Sequence, residues 1–366
     1  MALPSFFTDI GKTFMKNDIL SIDIGFTNIK LVHVRKKPGK ALKVVNTVIE
    51  STPVGSIKNG IISDFGVIAE NLKRIVRDYN MSERNVKIVI SAGSNIVSKV
   101  IFVRMVEQRR LEEEIKAEIS RQMPVNLSEQ KLFYRLTGNM DINGVTYHKV
   151  LITVVPASTI SNYVRLLRLL DFKPLAIEIP FSSVARFFSS GIRVGDKVNF
   201  NRVFTELNHG CTAIMDMGSE TTNLSILNNG TLEFNRIILA GGRNLDHVIE
   251  RRLGITREEA EKAKKVCGLI QGGQQDGEME KTVDDCLRYY LGEIFKNVKR
   301  SMDFYVERCG GKPVDRLVLV GGGSGLKGVR KFAESVMELP VFTVDMMEFS
   351  GIELPEDMER DSIRFF

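Results

Sequence analysis

The sequence predicts a two-lobed α/β protein made by duplication, with one inserted α+β subdomain. Three observations predict this. A β-hairpin opening on an Asp-x-Gly turn occurs at Asp23 and again at Asp216. An apolar strand after the second copy runs straight into Gly321-Gly322-Gly323-Ser324-Gly325. Between the copies, residues 99–171 carry the β-α-β-β-α pattern of a small self-sufficient unit. Two such specific hairpins, each beginning hhhDhGxxTxxh with h apolar, imply gene duplication.

The elements follow in order. Ile19–Ile24 is a short apolar strand, followed by strands at Ile29–Arg35 and Lys43–Glu50 with Pro38-Gly39 as the turn between them. Phe65–Tyr79 has apolar residues at helical spacing (Val67, Ile68, Leu72, Ile75, Val76), with Asp64 as its N-cap. Val86–Ser91 is the next strand. The insertion then runs through the strand Lys99–Met105, the helix Leu111–Met123, the strands Leu132–Asn139 and Thr146–Pro156, and the helix Ser158–Asp171. The chain returns by the strand Ala176–Ile179 and the helix Phe181–Ser189. The second copy has strands at Thr212–Gly218, Asn223–Asn228 and Thr231–Leu239, with Asn229-Gly230 as a tight hairpin turn. Helices follow at Asn244–Leu253, Arg257–Val266 and Thr282–Cys309, with a Gly/Gln-rich loop at Gln271–Gly277. The strand Arg316–Val320 and the helix Gly328–Met337 complete the pattern.

Composition narrows the function classes. The 366 residues are 43% hydrophobic and 26% charged, as in an ordinary globular protein that needs no disulfide or structural metal to fold. The apolar runs are strand-sized, and the N-terminus lacks a signal-peptide pattern, so a cytoplasmic protein is expected. The four cysteines lack CxxC spacing and the four histidines lack metal spacing. The net charge of +6 is interleaved with acids, which reads as a solvated surface and not as a nucleic-acid site. In Leu3–Met15, Phe6, Phe7, Ile10 and Phe14 fall at helical spacing, so this stretch is expected to be a short accessory segment.

The turns carry the chemistry. Gly25 and Gly218 let backbone N–H groups approach an anion, because no Cβ intervenes. Thr27, Asn28, Ser219, Thr221 and Thr222 add side-chain donors suited to phosphate oxygens. Two carboxylates, Asp23 and Asp216, would repel a polyphosphate unless a divalent cation lay between, and magnesium fits. Gly321, Gly322, Gly323 and Ser324 permit close approach to a base or ribose. A P-loop is excluded, since GxxxxGK[ST] is missing, and a dinucleotide fold is disfavoured because GxGxxG does not follow the first strand.

Ser21-Ile22-Asp23-Ile24-Gly25 and Met215-Asp216-Met217-Gly218-Ser219-Glu220-Thr221-Thr222 resemble the two phosphate motifs of the actin, sugar-kinase and 70-kilodalton chaperone superfamily. Leu319–Ser324 resembles its adenosine motif. Gly241-Gly242-Arg243-Asn244-Leu245-Asp246 resembles its paired-glycine turn, and Ala260–Lys264 its AExxK helix, whose Glu and Lys (here Glu261 and Lys264) reach ribose and base. Within the superfamily, Asp23–Val32, including Lys30, and Lys299–Tyr305 are similar to the PilM family, the cytoplasmic actin-like proteins of type IV pilus assembly. The 99–171 insertion matches the extra subdomain shared by that family and FtsA.

The resemblance implies the actin-like ATPase fold with ATP and Mg2+ between the lobes. Lobe I is residues 1–208, with core 18–98 and 172–208. Lobe II is residues 209–366, with core 209–246 and 310–350 and an upper subdomain at 247–309. Each lobe is expected to hold a five-stranded mixed sheet. The resemblance also implies a scaffold at the inner face of the membrane, with indirect membrane contact. Its expected partner is the cytoplasmic N-terminal peptide of a PilN-like inner-membrane protein, with pilus motor ATPases as further candidates. The alternatives are a small-molecule kinase, which needs a general base that the sequence does not show, and an FtsA-like division protein. Relatives tend to carry two acids in the return segment. Here Ala176–Phe181 has only Glu178, the candidate water-orienting catalytic residue, so slow hydrolysis at most is expected.

Overall fold

A computed structural model describes residues 18–37, 40–90, 93, 95–190, 192–194, 197–199, 209–270, 277–344 and 352–355. The expected accessory segment Leu3–Met15, residues 271–276 of the Gly/Gln-rich loop and the tail Asp357–Phe366 lie outside the described residues. The chain divides into two compact units, Met1–Thr205 with Met347–Met358, and Glu206–Met346 with Glu359–Phe366.

In the first unit, β1 (Asp18–Ile24), β2 (Asn28–Lys36) and β3 (Leu42–Ser51) form an antiparallel meander. Side chains alternate along β1. Leu20, Ile22 and Ile24 are fully buried on one face, while Ser21 and Asp23 point to the other. A two-residue hairpin, β4 (Ile57–Lys58) and β5 (Ile61–Ile62), follows. Its Asn59-Gly60 turn has both φ angles positive, as a type I′ turn requires. In α1 (Phe65–Asp78), Asp64 caps the helix by accepting from Val67 N, and Ile68, Leu72 and Ile75 pack inward. β6 (Asn85–Val89) lies parallel to β1.

The insertion comprises β7 (Val97–Arg104), α2 (Gln108–Gln122), β8 (Gln130–Ile142), β9 (Val145–Pro156) and α3 (Ala157–Leu169). Its sheet runs β7-β9-β8, and α2 closes a separate core of Leu111, Ile115 and Ile119 against Ile101, Val103, Val150, Ile152 and Val154. Although α3 ends the insertion in sequence, it also packs on α1 and on the returning strand β10 (Lys173–Glu178). After β10 come α4 (Pro180–Ser190) and a hairpin, β11 (Ile192–Val194) and β12 (Lys197–Asn199).

The second unit contains β13 (Cys211–Met217), β14 (Thr222–Asn228), β15 (Thr231–Ile238), α5 (Gly242–Leu253), α6 (Arg257–Cys267), α7 (Glu278–Cys309), β16 (Arg316–Val320), α8 (Val329–Met337) and β17 (Val341–Thr343). Its sheet order β15-β14-β13-β16-β17 repeats β3-β2-β1-β6-β10 of the first unit. The registers agree as well. Asp23 faces Lys30 and Val89, and Asp216 faces Asn223 and Val320. The duplication therefore extends to individual ladder positions. The core of α7 includes Leu287, Leu291, Phe295, Val298 and Tyr305, and Tyr305 donates its hydroxyl to buried Glu233 at 2.9 Å. Cys211, Cys286 and Cys309 are buried, Cys267 is half-buried, and all four are unbridged.

One expectation is corrected. After β17 the chain returns to the first unit, where β18 (Ile352–Glu353) pairs in parallel with Leu42 and Lys43 of β3. The first sheet thus has six strands, not five, and this stretch does not belong with the second lobe. Two paired residues are too short to show any period in sequence, so only the partner strand reveals them.

Candidate functional site

Each unit presents its Asp and its glycine turn at the carboxyl end of the central strand. The two turns have the same backbone geometry. Gly25 N donates to Asn28 O at 3.0 Å, and Gly218 N donates to Thr221 O at 2.9 Å. In each, a Cβ on the glycine would sit 2.8 Å from that same carbonyl oxygen, closer than real Cβ atoms come. Only glycine closes the turn this tightly. The register also refines the motif. In the duplicated frame Thr221 corresponds to Asn28, so the first copy carries Asn where hhhDhGxxTxxh spells Thr, and Thr27 lies one position earlier.

What suits these turns to an anion is where their carbonyls go. In the first, Thr52, just past β3 and buried, donates its hydroxyl to Gly25 O at 2.7 Å and its amide to Thr27 O at 2.8 Å. In the second, Gly242 N and Arg243 N donate to Gly218 O and Ser219 O at 3.0 and 2.8 Å. With the carbonyls held from behind, the amides of Phe26, Thr27, Ser219 and Glu220 donate to no backbone carbonyl of the described residues. Successive N–H groups without a backbone carbonyl partner are suited to phosphate oxygens.

The expected site residues then sort by position. In the first unit, Lys30 Nζ lies 3.6 Å from Asp23 Oδ2, and 37% of the Asp23 side chain is open. Burial by the surrounding protein pushes the Asp23 carboxyl above its ordinary pKa, and Lys30 only partly opposes this. Glu178 stands in the same ladder row as Val89 and Asp23, two strand spacings away, or roughly 10 Å. Its Oε2 accepts from Ser183 Oγ and from the Arg186 guanidinium, each at 2.6 Å. A carboxylate gripped in this way is less available to orient water.

In the second unit, Thr222 gives its hydroxyl to Ala240 O at 2.8 Å, so it braces the turn from inside. Gly241 fits for steric reasons, while a Cβ on Gly242 would meet only ordinary contacts. A Cβ on Gly241 would lie 2.6 Å from both Gly218 O and Ser219 O. The amide of Gly241 is already given to Asn244 Oδ1 at 3.0 Å. The Arg243 guanidinium pairs with Glu220 at the turn's rim. Lys264 Nζ lies 2.5 Å from Asp246 Oδ1 and donates to Gly242 O at 3.2 Å. Burial raises the Asp246 carboxyl above its usual range, against the pull of Lys264. Glu261 pairs with Lys265 at 2.7 Å. Gly321 has φ 79° and ψ 173°, a region almost reserved for glycine, and its backbone abuts the Asp216 carboxylate and Met217. Ser324 returns its hydroxyl to Gly321 O at 2.7 Å and so shapes its own turn. Thr52 escaped the sequence reading, and Arg243 and Asp246 stood in the paired-glycine motif without a role. The one local hint was Asp246 four residues after the paired glycines.

Comparison with known proteins decides the family. The profile of "Type IV pilus assembly protein PilM" matches residues 21–365. The chain belongs to the PilM family. Among solved structures, a PilM-PilN type IV pilus biogenesis complex is similar to this PilM-family chain with TM-score 0.76 and 18% identity, covering 94% of this chain and 93% of that one. MreB5 of Spiroplasma citri bound to AMPPNP is similar with TM-score 0.51 and 14% identity over 90% and 91% of the two chains. The fold is therefore that of the actin-like ATPases. The cell division protein FtsA of Bacillus subtilis is 27% identical over 165 residues, 40% of this chain and 36% of that relative's length. No helix among the described residues of the PilM-family chain is long and apolar enough to cross a membrane.

Proposed function

We propose that this chain binds Mg-ATP through the phosphate turn of each unit and the Gly321–Ser324 segment. It then acts as a nucleotide-dependent scaffold in type IV pilus assembly. The observation that carries the reading is the pair of matched turns, each with braced carbonyls and two amides that meet no backbone carbonyl of the described residues. The amides of Phe26, Thr27, Ser219 and Glu220 take phosphate oxygens. Thr52, Thr222, Gly241, Gly242 and Ser324 hold the backbone that presents them, and Glu261 is the side chain proposed to reach the ribose. Asp23 and Asp216 suit magnesium because both are hard oxygen donors beside turns suited to an anion. The ion would neutralise phosphate charge when bound. The docked partner is the cytoplasmic N-terminal peptide of a PilN-like inner-membrane protein, which places the scaffold at the inner face of the membrane. A PilM-PilN complex of the same fold supports this partner.

Hydrolysis is slow in this reading, because Glu178 is engaged by Arg186 and Ser183. Phosphate release below about 1 per second is expected, under the low end of ordinary enzymes. Peptide affinity should differ between ATP, ADP and no nucleotide, since a ligand shifts conformations only through differential affinity. Faster turnover rules out the slow-ATPase claim, and equal peptide affinity in all three states rules out the switch.

Affinity for Mg-ATP is also expected to depend on pH. The charged form of Asp23 is the one that serves the cation, and its pKa is raised. Protonation on acidification therefore removes the charge earlier than for an ordinary aspartate near pH 4. Calorimetric titrations between about pH 7.5 and about pH 4.5 should show affinity falling, with a shallower dependence in Asp23→Asn, where only the terminal phosphate of ATP still titrates. An affinity constant down to the ordinary aspartate range contradicts this.

A further inference from the structure

The two turns are braced by different devices. Thr52 holds the first with one hydroxyl and one amide. The second is held by the start of α5, and α5 is itself pinned by a charge pair. Lys264, projecting from α6, reaches both the Asp246 carboxylate on α5 and the Gly242 carbonyl at the α5 N-terminus. Side-chain exposure at the pair is low, 13% for Lys264 and 6% for Asp246. Gly242 and Arg243 then pass the constraint on through their amides to Gly218 O and Ser219 O. One unbroken chain of contacts thus links α6 to the turn. A lysine committed to a buried carboxylate and a carbonyl is a poor candidate for direct base recognition and a good one for a strut.

Resting on the nucleotide reading above, we propose that Asp246 is a positioning residue of the nucleotide site. Acting through Lys264 and Gly242, it fixes the Gly218–Thr221 turn so that its amides meet phosphate. Asp246 does not touch the ligand. Losing its charge leaves the Lys264 ammonium buried and uncompensated, which pushes that side chain toward water and away from Gly242 O. The α5 N-terminus then loosens, and the carbonyls of Gly218 and Ser219 become free to turn toward the phosphate.

The test uses the full chain and three proteins: wild type, Asp246→Asn, and the double variant Asp246→Asn, Lys264→Met, in which no buried charge is left behind. Site-resolved amide exchange without nucleotide reads Gly242 and Arg243, and calorimetry reads Mg-ATP affinity. The expected result for Asp246→Asn is faster exchange at those two amides and an affinity loss of about ten- to a hundredfold, the range seen for partners that orient ligand-holding groups. The double variant should melt near wild type yet still bind ATP weakly. Unchanged exchange and affinity in Asp246→Asn overturns the proposal. If that variant fails to fold, wild-type ATP affinity in the folded double variant overturns it equally. Wild-type protein that binds no ATP refutes the nucleotide reading instead, while the exchange measurement still judges the strut.

Discussion

Replacing Asp23 and Asp216 together by alanine is expected to lower Mg-ATP affinity about a thousandfold. Each carboxylate occupies the same ladder node in its unit, beside a turn with two amides that meet no backbone carbonyl of the described residues. A charge-assisted contact of this kind contributes on the order of 2 kcal/mol, and two of them correspond to about three decades in Kd. The result should reverse when magnesium is chelated. Without the cation the two carboxylates only repel the phosphates, so the double variant should then bind ATP at least as well as wild type. Calorimetry with and without chelator reads both effects. Undiminished affinity in the presence of magnesium would sink the assignment of both residues.

The second large effect is expected at Gly321. Its backbone, at φ 79° and ψ 173°, lies where an L-residue pays about 1–3 kcal/mol, and an added Cβ would strike the Asp216 carboxylate and Met217. The structure can relieve this only by moving Asp216 or by opening the strand-to-turn junction. Gly321→Ala is therefore expected to lower ATP affinity about a hundredfold, since displacing a positioned group by about 1 Å costs that much. Gly325→Ala is the matched control, because a Cβ there meets nothing within 4 Å. Equal affinity in the two variants would show that the Gly321 contact does not govern the site.

Much of this architecture was legible in the chain because its signals are local. The apolar runs of β1 and β13, helical spacing in α1 and α7, and the Asn-Gly turn at Asn229-Gly230 each need only a few neighbouring residues. The repeated Asp-x-Gly motif marked both turns, because a glycine packed against its own turn's carbonyl is a local requirement. The Leu127–Glu129 turn and the β4–β5 hairpin went unread, as each is too short to establish a period.

The roles of individual site residues needed the folded chain. Thr52 reaches Gly25 across 27 positions, and Lys264 reaches Gly242 across 22. Nothing in the spacing of either pair distinguishes a brace from a ligand contact. Sequence alone determined the duplicated α/β plan, the inserted subdomain and the two tight Asp-x-Gly turns, because these follow from backbone sterics and short-range periodicity. Tertiary structure alone decided that Thr222 bonds Ala240, that Gly242 bonds Gly218, that Glu178 is held by Arg186, and that Ile352–Glu353 returns to the first sheet. Those outcomes depend on which distant backbone carbonyl, guanidinium or strand edge each group meets, and packing sets that only once the elements have assembled.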